Sequence, residues 1–227
     1  NCREQIKEFD HGSIYTPISE RGTVLYPSPM GGNNWGALAV DPDRKIMIVN
    51  TVKVPYTARL VRRKNCKIGP AGYFPQLGTP FCVYLKPLVS PLGAPCSKPP
   101  WATLDRVNLE TGKIEWQIPL GTFEGSVPLI GRWIKGSPGI GGPLITRSGL
   151  IFVAAGYDRY LRVFDTVDGR EIAKYQLPTL AASIPMSYQS GNTGTQFIVI
   201  AVGGHWTGGF ESGDYLIAYA LRNRFLQ

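Results

Sequence analysis

Two short stretches carry residue types suited to holding a ligand, and each stands at the mouth of an apolar strand. The first is Gly31-Gly32-Asn33-Asn34-Trp35, which leads into the alternating run Ala37-Leu38-Ala39-Val40. An amide such as Asn34 both donates and accepts hydrogen bonds, and an indole such as Trp35 adds flat apolar area with one N–H. Asn33 is a further polar neighbour, and the glycines let backbone approach something flat or bulky. The second stretch is Gly203-Gly204-His205-Trp206, following the apolar run Phe197-Ile198-Val199-Ile200-Ala201-Val202. An imidazole there can hydrogen-bond a hydroxyl or a carboxylate, and glycines at a strand end admit a ligand. The same residue types also suit a turn asparagine beside a core tryptophan and a structural histidine. For acyl or phosphoryl transfer the sequence offers neither a nucleophile elbow nor a phosphate loop.

The elements that position these stretches are strands. Asp41-Pro42-Asp43-Arg44 turns the first strand into Ile46-Met47-Ile48-Val49, a hairpin. Upstream, Thr23-Val24-Leu25-Tyr26 is a candidate strand, and residues 1–10 read as a charged tail of a preceding element. Residues 51–100 show little periodicity and many prolines, and a loop that long is uncommon in a compact domain. They are expected to form a basic, proline-rich insertion. Regularity then returns, with strands at 101–109, 114–118, 143–146, 150–155, 160–165, 171–175, 183–188, 196–202 and 214–221. Each cycle has a short strand, a tight turn, a strongly apolar strand, and a strand closed by a glycine turn. Four strands per cycle is the pattern of a propeller blade. The third cycle lacks its outermost strand, so about three blades are present where a closed propeller has four to eight. A partial propeller leaves a sheet face and edges open to water, so something must complete it.

Composition bounds the remaining classes. The 227 residues are 43% hydrophobic, with 27 glycines and 19 prolines, which suits many short strands and turns. No eighteen apolar residues run together. The start at Asn1 shows no signal peptide and reads as that of a mature product or a fragment. The net charge of +8 is uneven: from Arg44 to Trp101 there are ten Lys/Arg and no Asp or Glu. Such a block suits nucleic acid or anionic lipid. The motifs that read nucleic acid are missing, which leaves an anionic membrane surface or a solvated loop. Cys2, Cys66, Cys82 and Cys96 lack metal-binding spacing. Their even number suits an oxidising compartment, and all three pairings stay open.

Several of these segments carry a family resemblance. Glu110-Thr111-Gly112-Lys113-Ile114-Glu115-Trp116 resembles the tryptophan-docking repeat of PQQ-dependent quinoprotein dehydrogenases, and Gly142-Pro143-Leu144-Ile145-Thr146 through Leu150-Ile151-Phe152-Val153-Ala154-Ala155 resembles one of their blades. The chain is similar to the membrane-bound branch acting on glucose, quinate and related polyols. The landmarks are Cys2-Arg3, Asn34-Trp35-Gly36, Val40-Asp41-Pro42, Pro95-Cys96, Leu161-Arg162, Gly203-Gly204-His205, and Gly213-Asp214-Tyr215 through Leu221.

The resemblance implies an all-β chain, residues 1–227 forming the C-terminal portion of an eight-bladed propeller. It implies PQQ and Ca²⁺ near the axis, with the Ca²⁺ ligands and the catalytic base on upstream blades and none in this segment. It further implies a sugar, polyol or cyclic hydroxy acid as substrate, electrons passing to ubiquinone through a membrane part, and a place on the periplasmic side of the bacterial inner membrane. Nucleic acid is not among the implied partners. Asn34, Trp35 and His205 match family positions near PQQ, and Trp206 is expected to line the pocket. Trp206 departs from the glucose-oxidising pattern, which often has a small residue there. Ala173 stands where the second cycle should have its docking tryptophan, and Pro29 where relatives often carry Gly-Asn. Because Cys2 and Cys96 match family cysteines, the bridges implied are Cys2–Cys96 and Cys66–Cys82. A non-catalytic propeller scaffold is the alternative function.

Overall fold

A computed structural model describes residues 1–29, 31–34, 36–67, 72–205 and 211–220. One short helix, α1 (Cys2–Lys7), precedes β1 (Thr23–Leu25), β2 (Leu38–Asp41), β3 (Ile46–Val52), β4 (Tyr56–Arg62), β5 (Tyr73–Pro75), β6 (Phe81–Pro87) and β7 (Ala102–Asn108). Then follow β8 (Ile114–Pro119), β9 (Pro143–Ile145), β10 (Leu150–Val153), β11 (Tyr160–Asp165), β12 (Glu171–Gln176), β13 (Met186–Gln189), β14 (Gln196–Val202) and β15 (Tyr215–Ala220). These strands make four antiparallel sheets, in the orders β2-β3-β7-β8, β9-β10-β11-β12, β13-β14-β15 and β1-β4-β6-β5. The first three are the blades expected from the repeats. The last of them has three strands among the described residues.

Two compact units result. One comprises Asn33–Val52 and Ala102–Gln227 and holds the blades; the other comprises Asn1–Gly32 and Lys53–Trp101. Within the blade unit, the alternation of each strand decides what it packs against. From β10, Ile151 and Val153 join Ile48, Leu104, Leu120 and Phe164 in a core shared with the first blade. Its neighbour Ala154 joins Leu161, Leu177, Ala181, Ile200 and Val202 in a second core shared with the third blade, and Phe152 packs against that core from its rim. The middle sheet is therefore sandwiched on both faces.

At the outer rim the docking tryptophan does what the repeat implies. Trp116 Nε1 donates to Thr166 O at 3.1 Å, and the ring lies so close over Gly169 that a Cβ there would sit 3.2 Å from it. Arg106 adds a 2.7 Å bond to the same carbonyl. At Ala173 no such ring exists. Two residues on, on the same face of β12, Tyr175 meets Tyr219 of β15 at a centroid distance of 5.0 Å, so an aromatic pair bridges that seam instead. Asp41 fixes the β2–β3 turn, accepting from Arg44 N at 3.0 Å and Arg44 Nη1 at 2.6 Å. Arg44 also donates to Arg147 O of the next blade at 3.0 Å.

The other unit corrects the reading of residues 51–100 as an irregular loop. They contain β4, β5 and β6, which form a sheet with β1. Val52 and Ala102 are Cα partners in the β3–β7 ladder, so the chain leaves the first blade at the end of its second strand, β3, and returns at the facing position to start β7. Within residues 1–10, α1 is capped by Asn1, which accepts from Glu4 N at 3.0 Å. Both implied bridges form, Cys2–Cys96 and Cys66–Cys82, closing separations of 94 and 16 residues. Loops of these lengths remove about 4.7 and about 3 kcal/mol of unfolded-chain entropy. Small units with few buried apolar side chains depend on such staples. Here the buried apolar side chains are Val54, Ala58, Cys82, Val83, Leu88 and Trp101.

Truncating Trp116 to alanine removes both a bulky ring and a hydrogen bond across a blade seam. We expect a loss of about 3 kcal/mol, read as a lower urea midpoint. Acid sensitivity provides a second check. The backbone N–H and guanidinium of Arg44 hold the Asp41 carboxyl below its ordinary value, so its contribution is full above the unfolded pKa of about 3.9 and fades as pH falls through the lower folded value. Asp41→Asn should lower the urea midpoint at pH 7, and the gap to the parent should close below about pH 4.

Candidate functional site

The innermost strands β2, β9 and β13 all start from loops that meet at one end of the blade unit. Their closeness rests on missing side chains. A Cβ on Gly142 would stand 1.8 Å from Gly36 O and 2.8 Å from Ile184 Cγ1, and one on Gly141 would stand 2.0 Å from Ala154 O and 3.2 Å from Ala181 O. Residues before β2, before β9 and before β13 thus touch backbone to backbone. Asn50, buried near the end of β3, fastens this seam by donating from Nδ2 to Gly141 O at 2.8 Å. Its Oδ1 has no hydrogen-bond partner among the described residues.

The loop carrying His205 joins the same row. Gly204 N donates to Leu180 O at 2.9 Å, and Ser183 Oγ donates to Ala201 O at 2.8 Å. Gly204 has a φ of +72°, and a Cβ there would come within 2.2 Å of Glu211 O, so glycine is required on both counts. The backbone row therefore runs from the Asn34 strand end through residues 140–142 and 180–184 to His205. Asn34 is exposed and His205 half-buried. Trp35 and Trp206 lie outside the described residues.

The Asn33 amide nitrogen donates inward to Ala37 O and, at 3.1 Å, to Asn50 O, and these bonds hold the entry to β2. Ala37 itself has a φ of +49°, a strained value for a residue with a Cβ.

Two features at this end were not read from the sequence. Residues 122–135 form a closed loop, tied by a Thr122–Lys135 bridge, that exposes Leu129, Ile130 and Trp133. Its base hangs on Asp158, which accepts from Thr122 N at 2.7 Å and Thr122 Oγ1 at 2.9 Å. The same carboxylate pairs with buried Arg162, whose other terminal nitrogen lies 2.5 Å from Glu171. Burial works to lower the Arg162 pKa, but the Asp158 and Glu171 carboxylates outweigh it and raise it. The available signal was an arginine inside the apolar run Leu161-Arg162-Val163-Phe164, since a buried charge must be paired.

A flat, multiply oxygenated group needs hydrogen-bond donors around its rim. The chemistry at this strand end, an exposed amide and a half-buried imidazole joined by one backbone row, fits such a group. Residues 1–198 match the family described as the PQQ β-propeller domain of glucose/ethanol/alcohol dehydrogenases. The chain belongs to this family. It is 36% identical over 230 residues to quinoprotein glucose dehydrogenase A of Acinetobacter calcoaceticus, covering 97% of this chain and 28% of that protein. It is 37% identical over 235 residues to the quinate/shikimate dehydrogenase (quinone) of Acinetobacter baylyi, covering 97% and 29%. The chain thus spans under a third of the length of these relatives. Among solved structures, a europium-containing methanol dehydrogenase aligns with a TM-score of 0.58 at 17% identity, covering 88% of this chain and 29% of that one. A quinohemoprotein alcohol dehydrogenase from Comamonas testosteroni gives 0.55 at 21%, covering 80% and 24%. These two likenesses establish the shared propeller fold.

The glycine seam of the quinoprotein blades is directly testable. Gly142→Ala should lower the urea midpoint sharply because its methyl meets backbone that cannot yield. Gly191→Ala, where a Cβ meets open space, should leave it nearly unchanged, and equal effects would show that the seam does not depend on the missing side chain.

Proposed function

We propose that this chain is the C-terminal, three-blade portion of a PQQ-dependent dehydrogenase that oxidises a sugar, polyol or cyclic hydroxy acid. The observation carrying the reading is the single backbone row that links the Asn34 and His205 strand ends. It occurs in a chain 34–37% identical, over 97% of its length, to quinoproteins named for glucose and quinate/shikimate. Bound PQQ supplies the two-electron acceptor for the substrate's alcohol carbon. The residues of this chain bind and orient. The Asn34 amide hydrogen-bonds the polar edge of the cofactor, and the Trp35 indole offers it a flat face. The His205 imidazole holds a cofactor carboxylate or a substrate hydroxyl, and the family match gives Trp206 the role of pocket lining.

The rest of the enzyme lies on blades outside this chain. Both end sheets support that view through their open apolar positions: Leu38 and Val40 on β2, and Met186 and Leu216 on β13 and β15, are all exposed. Apolar positions of this kind mark association surfaces. The upstream blades would cover them and supply the catalytic base and the Ca²⁺ ligands. Among the described residues no three His, Cys, Asp or Glu side chains gather to hold a metal ion. Electrons would leave for ubiquinone, in keeping with the quinone named for the quinate/shikimate relative. The two disulfides suit the oxidising periplasmic side of the inner membrane.

Titrating PQQ with Ca²⁺ into the chain, alone and mixed with a fragment carrying the remaining blades, tests the proposal. Binding and dye-linked polyol oxidation are expected in the mixture. Asn34→Ala or His205→Ala should each weaken PQQ binding about tenfold, the worth of one hydrogen bond to a charged group. A folded mixture that binds no PQQ would favour a non-catalytic scaffold.

A further inference from the structure

Most of the net positive charge of the molecule lies in one unit. Asn1–Gly32 with Lys53–Trp101 holds eleven Lys/Arg against four Asp/Glu, while the blade unit holds thirteen against twelve. Within the basic unit the cations concentrate at one end of the sheet. There β4 finishes at Arg62, the 3₁₀ turn Arg63–Asn65 follows, and Cys66 and Lys67 come next. The same end holds the turn 76–80 that joins β5 to β6, because Arg62 and Phe81 are Cα partners.

Three kinds of bond lock the basic turn to the β5–β6 turn. The Cys66–Cys82 bridge is one. Arg63 N donates to Pro80 O at 2.8 Å, and Arg63 Nη2 donates to Gln76 O at 2.7 Å. The guanidinium of Arg62 lies 5.7 Å over the Phe81 ring. Leu77 projects from the β5–β6 turn, 89% exposed, with Phe74 of β5 also exposed. Gly78, at a φ of +77°, turns the chain back with open space around it. The acid near this end, Glu20, pairs with Arg62. Arg63, Lys64 and Lys67 are exposed and make no ion pair among the described residues. The stapled tip therefore presents the charges of Arg63, Lys64 and Lys67, without an ion-pair partner among the described residues, beside a protruding leucine.

We propose that this tip is a peripheral docking site for an anionic phospholipid surface. The cations meet the headgroup charge, and Leu77 with Phe74 enters the acyl boundary. Charge complementarity argues for an anionic partner, since no Asp or Glu occurs between Arg44 and Trp101. The exposed leucine argues for lipid over a nucleic-acid or polysaccharide chain, which would engage the cations but gain little from an aliphatic side chain. The inference does not depend on the cofactor assignment.

Co-sedimentation of the oxidised chain with vesicles provides the test. We expect binding to phosphatidylcholine vesicles containing phosphatidylglycerol, weakening as salt rises, and none to phosphatidylcholine alone. Each cation near such a surface contributes about fivefold, so Lys64→Glu with Lys67→Glu should cost at least about twentyfold. Leu77→Ser should cost about fivefold or more through lost apolar burial. Lys113→Glu, a charge reversal in the blade unit, should change nothing. Equal binding to both vesicle types, or tip variants indistinguishable from Lys113→Glu, would overturn the proposal. So would capture of heparin or duplex DNA that is lost with the lysine variants, indifferent to Leu77→Ser, and unaccompanied by vesicle binding. Circular dichroism and non-reducing thiol analysis of each variant confirm that the stapled tip remains folded.

Discussion

The burial of β10 on both of its faces is the constraint on which the blade unit depends. A strand with side chains alternating up and down can feed two cores only if a sheet lies on either side. Ile151 and Val153 require the first blade, and Phe152 and Ala154 require the third. Face-to-face packing then brings the inner strand ends together, where no side chain fits between Gly36, Gly141 and Gly142. The candidate site is a by-product of that closeness. Asn34 and His205 sit where they do because the cores on both sides of the middle sheet pull their strands inward.

Much of this architecture was legible as alternation and turns. The runs 46–49, 150–155 and 196–202 are apolar enough to declare themselves as strands, and the segment Glu110–Trp116 showed its likeness to a tryptophan-docking repeat. The segment 51–100 hid its strands for a physical reason. In β4 the burial order is two inward residues, then Arg59, then Leu60 and Val61, with no clean period of two, and prolines at 55, 75, 80 and 87 stand at four of the six ends of β4, β5 and β6. Asn33 and Asn34 were equally uninformative as neighbours. Asn33 bonds to the carbonyl of Asn50, seventeen residues away, and only tertiary structure supplies that partner. The Asp158–Arg162–Glu171 cluster was visible as one misplaced arginine but not as a network.

The two units divide the physics between them. The blades hold large shared apolar cores, a near-even charge balance and a glycine-lined end suited to a flat ligand. The stapled unit holds a small core, two disulfides and almost all of the surplus positive charge. The surplus positive field of the molecule thus originates in the stapled unit, while the blade unit is nearly neutral.

The return of the chain at Ala102 has a consequence for the order of events in folding. Pairing β3 with β7 asks two strands to meet across the whole of Lys53–Trp101, and closing so long a flexible loop is slow and entropically costly. Lys53 N and Trp101 O are, however, joined by a 2.7 Å hydrogen bond. Once that body has formed, its two ends already lie side by side, and the effective loop shrinks from dozens of residues to the width of a hairpin. The inserted body then acts as a built-in template that hands β7 to β3 in register.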